Sequence, residues 1–268
     1  MNEQNESKKI LTRRKFIAAG AGTAGLLLMG GLAGCSTNAP AANTSGGNTS
    51  SEVPALPWSY KKLDVDVVRK KGYEGYFEGG CMYGAAKALL TTLQETAGGP
   101  WKTLPLDAYR YGLGGVYGWG SLCGALNGAL AVINLGVKNH ADLGNELMGW
   151  YTLFPFPSNK HEEYAKFKNQ VTTVAMSPLC HASVSKWAAE AKVKINSDEK
   201  KDRCGKLTGD TAARAAELMN LALDGKFAPT FKFPEEFKSC MGCHVGTDSQ
   251  LDSVQGKMDC LSCHDAHM

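Results

Sequence analysis

Apolar residues take helical spacing through the middle of the chain. From Phe77 to Leu93 the positions Phe77, Cys81, Gly84, Ala85 and Ala88 follow the 3.6-residue period and predict an amphipathic helix. Glycine destabilises a helix interior by about 1 kcal/mol relative to alanine. Gly79, Gly80 and Gly84 therefore predict that something packs closely on this face. A Gly- and aromatic-rich loop, Gly112 to Gly120, leads into a second helix through Ile133, with Ser121 as its N-cap. Ser177 and Pro178 repeat that arrangement, serine as cap and proline at the first helical position. A further helix runs from Asp210 to Leu223 and stops at Gly225. Strand-like alternation is scarce. The pattern predicts an all-α fold: a helical domain over 58–230 and a short, mostly irregular C-terminal tail over 231–268.

The first 57 residues follow a different pattern. Arg13 and Arg14 precede a mildly apolar, Gly/Ala-rich stretch from Ile17 to Leu32. A transmembrane anchor would be longer and less glycine-rich, so residues 1–34 are expected to be a twin-arginine export signal. Leu32, Ala33, Gly34 and Cys35 resemble a bacterial lipoprotein cleavage box, which makes Cys35 the candidate lipidation site. Ordinary cleavage nearby, with Cys35 spare, is the alternative. Residues 35–57 are rich in Ser, Thr, Asn, Ala, Gly and Pro and are expected to form a flexible tether. The expected location is periplasmic or otherwise extracytoplasmic, on a membrane through a lipid anchor. The twin-arginine route moves folded proteins, which points to a cofactor assembled before export.

Composition narrows the function classes. The chain has 268 residues, 43% hydrophobic and 21% charged, which suits a folded core. Its net charge is +3, but residues 1–34 hold five of the 29 Lys/Arg and two of the 26 acids, leaving 24 of each. A neutral mature chain is not a nucleic-acid binder.

Nine cysteines carry the chemistry. Cys240, Cys243 and His244 form one C-x-x-C-H motif, and Cys260, Cys263 and His264 form another. This is the c-type haem attachment pattern: two thiols bond the porphyrin vinyls and the adjacent histidine reaches the iron. A zinc site from the two C-x-x-C pairs would leave both following histidines unexplained. Two haems c are expected, with His244 and His264 as axial ligands. The distal positions fall to His267, in the neighbouring haem or a partner subunit, and to His161, in a polar loop after Pro157. His140 reads as a surface residue at a helix start, and His181 as a neighbour of the cysteine site. Met241 or Met258 could substitute as ligands. So short a tail cannot bury two porphyrins, so the haems must cover each other, the helical domain or a second subunit.

Cys81, Cys123, Cys180 and Cys204 form no C-x-x-C pair. Cys123 and Cys180 fall in predicted first helical turns, where unpaired backbone N–H groups stabilise thiolates. By themselves these residues allow a metal cluster, two disulfides or a redox-active dithiol.

Gly79-Gly80-Cys81, then Cys123-Gly124-Ala125-Leu126-Asn127-Gly128, then Cys180 and Cys204 resemble the four-cysteine redox-active family, over about residues 70–225. With two haem motifs following, nearly the whole mature chain resembles the split-Soret cytochromes c. The resemblance implies a mainly helical homodimer with two bis-histidine haems per subunit. It also implies an iron–sulfur cluster, 2Fe–2S or 4Fe–4S, on the four cysteines. A membrane-tethered electron carrier is thus expected ahead of a haem-dependent reductase or peroxidase, which needs an open iron position. A dithiol redox protein with a haem tail is the third reading.

Overall fold

The computed structural model describes residues 53–233, 235–247, 249, 256–262 and 265. The signal, Cys35, most of the tether, Cys263, His264 and His267 lie outside the described residues. The α-helices among the described residues are α1 (Val65–Thr96), α2 (Gly124–Gly136), α3 (His140–Leu153), α4 (Cys180–Ala191), α5 (Asp198–Leu223) and α6 (Glu235–His244). Two-residue strands, β1 (Pro155–Phe156) and β2 (Thr173–Val174), pair antiparallel and hold the α3–α4 connection to itself. The fold is mostly helical, as the periodicity predicts.

α1 begins at Val65 instead of Phe77, capped by the Asp64 carboxylate, which accepts from the N–H groups of Asp66 and Val67. Its glycines meet the close packing expected of them: a Cβ on Gly84 would lie 2.6 Å from the Tyr76 backbone nitrogen and 2.9 Å from the Gly72 carbonyl oxygen, and one on Gly80 2.5 Å from the Leu113 side chain. Gly80 lies at φ 85°, ψ −177°, and breaks the helix there. That backbone conformation strains any residue with a Cβ. The break makes Cys81 the first residue of a new helical run.

α5 is longer than its apolar pattern predicts. It starts behind Ser197, whose hydroxyl accepts from Lys200 N–H, and ends before Gly225, which takes φ 65°. Its first half is rich in charge, yet Asp202, Arg203, Lys206 and Asp210 are all buried. Most of these charges have partners. Asp202 accepts from the Tyr73 hydroxyl at 2.6 Å and from Lys166 N–H at 3.1 Å. Lys206 donates to the Phe167 carbonyl at 2.6 Å and to Glu162 at 3.2 Å. Asp210 accepts from Ser158 N–H at 2.9 Å. The polar loop after Pro157 is thereby bonded down onto α5.

α1 packs mainly on α5 and α2. The core comprises Ala85, Leu89, Leu90 and Leu93 of α1, Leu126, Val132 and Ile133 of α2, and Ala212, Ala216 and Met219 of α5. Each fully buried leucine contributes about 1.5–3 kcal/mol relative to exposure. The segment before α1 closes one side. Trp58 stacks edge-on against Trp101 at 5.2 Å, and its backbone N–H donates to the Leu135 carbonyl at 2.8 Å.

Residues 51–268 form one compact unit. Thr230 and Phe231 both donate backbone N–H bonds to Glu146 of α3, each at 2.8 Å. Within the tail, Cys240, Cys243 and His244 lie on α6 and Cys260 opens a 3-10 turn over Cys260–Ser262. No helix among the described residues is long and apolar enough to cross a membrane.

Candidate functional site

Four separate chain segments bring Cys81, Cys123, Cys180 and Cys204 to one cavity of about 60 Å³. The Gly80 break presents Cys81. Cys123 is the N-cap of α2, without a capping side-chain bond, and Cys180 is the first residue of α4. Neither serine predicted as a cap performs that role. The Ser121 hydroxyl donates to the Gly115 carbonyl, and the Ser177 hydroxyl, two residues before the cap position, accepts from Leu179 N–H. Instead the two helix starts hold each other. Cys123 N–H donates to the Pro178 carbonyl at 2.9 Å, and Cys180 N–H donates to the Ser121 carbonyl at 2.7 Å, as one antiparallel bridge. Cys204 projects from the second turn of α5.

Gly124 allows the close approach of the first two thiols' segments. A Cβ on it would lie 2.5 Å from Cys81 Sγ and 2.4 Å from the Gly112 carbonyl oxygen. All four cysteines are unbridged thiols. Cys81 and Cys123 are buried; Cys180 and Cys204 are half-buried.

The thiols share one low-dielectric space, and their acidities show it. A hydrogen bond with Cys123, then burial, push the Cys81 thiol well up, against the backbone N–H groups of Gly114 and Met82. Burial, reinforced by Cys81 and Cys204, pushes Cys180 up to about 12, against the positive charges of Arg203 and Lys200. Four neighbouring sulfurs cannot all ionise unless cations replace their protons.

Sequence reasoning missed the residues that complete the wall. Tyr76, Tyr151, Ser183, Lys200 and Arg203 line the cavity with the cysteines. Lys200, Arg203, Cys204 and Leu207 keep the helical i, i+3, i+4, i+7 spacing on one face of α5. Placing Cys204 on a helix would have revealed this face. Burial raises the Tyr76 phenol, with further contributions from Cys204, Cys81 and Cys180. Burial and the nearby Cys123 do the same for Tyr151, which Arg203 opposes.

Three donors at the wall have no hydrogen-bond partner: the Tyr151 hydroxyl and Arg203 Nε and Nη1. Among the described residues no three or more His, Cys, Asp or Glu side chains are grouped as ligands of one metal ion. The thiols surround a space with room for more than one atom. Four sulfurs, unpartnered N–H and O–H donors and no lining carboxylate fit an anionic, multi-atom iron–sulfur group.

The C-terminal motifs also lie together. Cys240 is half-buried, Cys243 exposed and Cys260 half-buried. The Cys260 thiol donates to the Met258 carbonyl, and its pKa is raised by burial and then by the nearby Cys240. The first cysteines of the two motifs are therefore neighbours. A second cavity, of about 490 Å³, opens between α3 and this segment, lined by Met148, Gly149, Phe231, Phe233, Lys257 and Met258.

The other histidines are placed plainly. His140 begins α3 and is exposed, as expected. His181 follows Cys180 but is exposed, with Nδ1 3.4 Å from the Ser185 hydroxyl. His161 corrects its candidacy as a distal ligand. Its ring is fully buried, Nε2–H donates to Asp210 at 2.9 Å and Nδ1 accepts from the Tyr164 hydroxyl at 3.0 Å. Both ring nitrogens are committed to a network that anchors the loop to α5.

Comparison with known proteins follows the same residues. The family profile described as "Putative redox-active protein (C_GCAxxG_C_C)" matches residues 83–218. Split-Soret cytochrome c of Desulfovibrio desulfuricans (strain ATCC 27774 / DSM 6949 / MB) is 36% identical over 218 residues, 78% of this chain and 78% of that protein. A solved structure, described as showing a novel iron centre in the split-Soret cytochrome c from Desulfovibrio desulfuricans ATCC 27774, superposes with a TM-score of 0.73. It is 34% identical, and the match covers 78% of this chain and 90% of that one.

Proposed function

The chain belongs to the C_GCAxxG_C_C redox-active family and to the split-Soret cytochromes c, and we propose that it is an exported, membrane-tethered electron carrier with two haems c and one iron–sulfur cluster per chain. An electron-transfer role, with haem and iron, follows from that membership. The finer reading rests on one observation above all: four thiols distant in sequence converge on one donor-lined cavity.

Cys81, Cys123, Cys180 and Cys204 would hold the cluster. Cys240 with Cys243, and Cys260 with Cys263, would attach the haems, with His244 and His264 as axial ligands. Such groups supply one-electron chemistry when bound. This chain's contribution is to keep water from the cluster site by burial, to offer N–H and O–H donors around it, and to place the first cysteines of the two haem motifs beside each other. The cavity against α3 offers apolar surface for a porphyrin, through Met148, Phe231 and Phe233. Two porphyrins on so short a segment still leave apolar edges, which supports a homodimer with the haems at its interface. The twin arginines and the Leu32–Cys35 box support export and lipid tethering.

The test is metal, haem and spectral analysis of the holoprotein purified anaerobically. The expected result is a mass increase of two haems, low-spin ferric spectra, and a cluster signal in electron paramagnetic resonance after reduction. High-spin haem that binds cyanide rapidly would favour the haem-dependent enzyme instead. Two native disulfides mapped among Cys81, Cys123, Cys180 and Cys204 would overturn the cluster.

A further inference from the structure

Arg203 is buried to 1% exposure, and its charge has no carboxylate beside it. Among the described residues no ion pair includes it. One nitrogen, Nη2, donates to the Ser183 hydroxyl at 2.9 Å, and the guanidinium lies 5.8 Å from the Trp187 ring centre. Its other two donor atoms, Nε and Nη1, are buried and unpartnered. The adjacent acid does not help: Asp202 is turned away and already accepts from Tyr73, Lys166 and Phe167. Consecutive helix positions diverge by about 100°, so the acid and the base of this pair serve different sites.

A buried arginine left this way is strongly unfavourable unless something anionic stands opposite it. It lines the four-cysteine cavity, and it acts on both the Cys180 thiol and the Tyr151 phenol as a positive charge. Each ligating thiolate brings one negative charge to that space, and every electron added to the group there brings another.

We propose that Arg203 is the buried counter-cation of the four-cysteine centre, beside the more exposed Lys200: it donates to the bound anionic group through Nε and Nη1 and raises its reduction potential. This rests on the iron–sulfur reading of the cavity. The sign is electrostatic. A buried positive charge favours whichever state carries the extra electron, and salt screens it little at this depth. The haem motifs lie on other segments, α6 and the turn at Cys260, so the haem potentials serve as the internal reference. The Tyr151 hydroxyl, also unpartnered, faces the same space and carries no charge. It serves as the comparison.

The experiment is a potentiometric titration, followed by electron paramagnetic resonance, of wild type, Arg203→Met, Arg203→Lys and Tyr151→Phe, each as the full haem-loaded chain. Arg203→Met is expected to lower the cluster potential clearly and leave the haem potentials and haem count unchanged. Arg203→Lys keeps the charge but not the fork of donors, and is expected to recover most of the potential. Tyr151→Phe is expected to shift it least. If Arg203→Met loses the cluster while Arg203→Lys retains it, with far-ultraviolet circular dichroism unchanged in both, the need for charge stands. An intact cluster with an unmoved potential in Arg203→Met overturns the inference and leaves the cluster itself standing. Equal loss of the cluster in the Met and Lys variants assigns Arg203 a packing role and also overturns it. A wild type with haem but no cluster overturns the reading of the cavity, and the inference with it.

Discussion

Cys81, Cys123, Cys180 and Cys204 come from separate segments and meet only because α1, α2, α4 and α5 pack as they do. Cys240 and Cys243, by contrast, lie within one turn of α6, and Cys260 opens a three-residue turn. The first set is enclosed by core helices and has its wall of donors in place. The second is half-exposed, beside a large open cavity, on short elements that cannot form a core of their own. In one region the fold creates the site. In the other, local spacing creates the attachment, and the bound group must supply much of the packing. The two regions should therefore lose their cofactors independently.

The largest expected effects test that independence. Cys123→Ser should abolish the cluster signal and leave an intact mass with both haems. The double variant Cys240→Ala/Cys243→Ala should lose one haem's mass and keep the cluster signal. Loss of both groups in either variant would show that the regions fold as one cooperative unit. Mass spectrometry and electron paramagnetic resonance on the same preparation read both arms.

A smaller effect sharpens what holds the enclosed region together. Lys206 is fully buried and bonds the Phe167 carbonyl and Glu162, with Asp202 3.8 Å away. Lys206→Met leaves Asp202 and that carbonyl without their cation. Breaking a buried pair from one side costs about 3–5 kcal/mol. The denaturation midpoint followed by far-ultraviolet circular dichroism should fall accordingly, while the haem count stays at the wild-type value. An unshifted midpoint would mean that water reaches these charges.

The same contrast explains what could be read from the chain in advance. The C-x-x-C-H motifs are legible because their chemistry depends on neighbours in sequence. The four-cysteine set is legible only as a family pattern, since nothing in the spacing from Cys81 to Cys204 states that these residues meet. Helix type was readable where the buried residues are apolar, as in Ala85–Leu93 and Ala212–Met219. It stopped short over 198–209, where the charged Asp202, Arg203 and Lys206 interrupt the apolar period and are buried by pairing or by the cavity. It failed too at the helix starts, where backbone bonds between the Ser121–Cys123 and Pro178–Cys180 segments displaced the serine caps. His161 was misread for the same reason: a polar loop looks exposed until Asp210 and Tyr164 are seen to bind its ring.

The smallest predicted effect lies at the joint between the two regions. Glu146 on α3 is 5% exposed and accepts from Thr230 N–H, the Thr230 hydroxyl and Phe231 N–H. Burial alone would raise its pKa; the bonds from Thr230 and Phe231 and the charge of Arg214 outweigh it, and the carboxyl is held below its ordinary value. A folded pKa below the unfolded one means that the carboxylate's contribution is complete above the unfolded value of 4.5. It is lost as pH falls through the lower folded value. In the acid range the Thr230 and Phe231 amides should therefore exchange a charged acceptor for a weaker neutral one while the core helices persist. Bonds to a charged acceptor of this kind contribute about 1.5–3 kcal/mol. Hydrogen exchange in residues 228–233, corrected for its intrinsic pH dependence, should accelerate on acidification from pH 7 to 3, with little change in residues 85–93. Glu146→Gln, which keeps an acceptor oxygen but cannot ionise, should exchange faster than wild type at pH 7 and show no acid step. A wild-type profile that stays flat over this range would mean that the joint is held by the packing of Phe231 and Phe233 alone, and that the tail is part of the enclosed region after all.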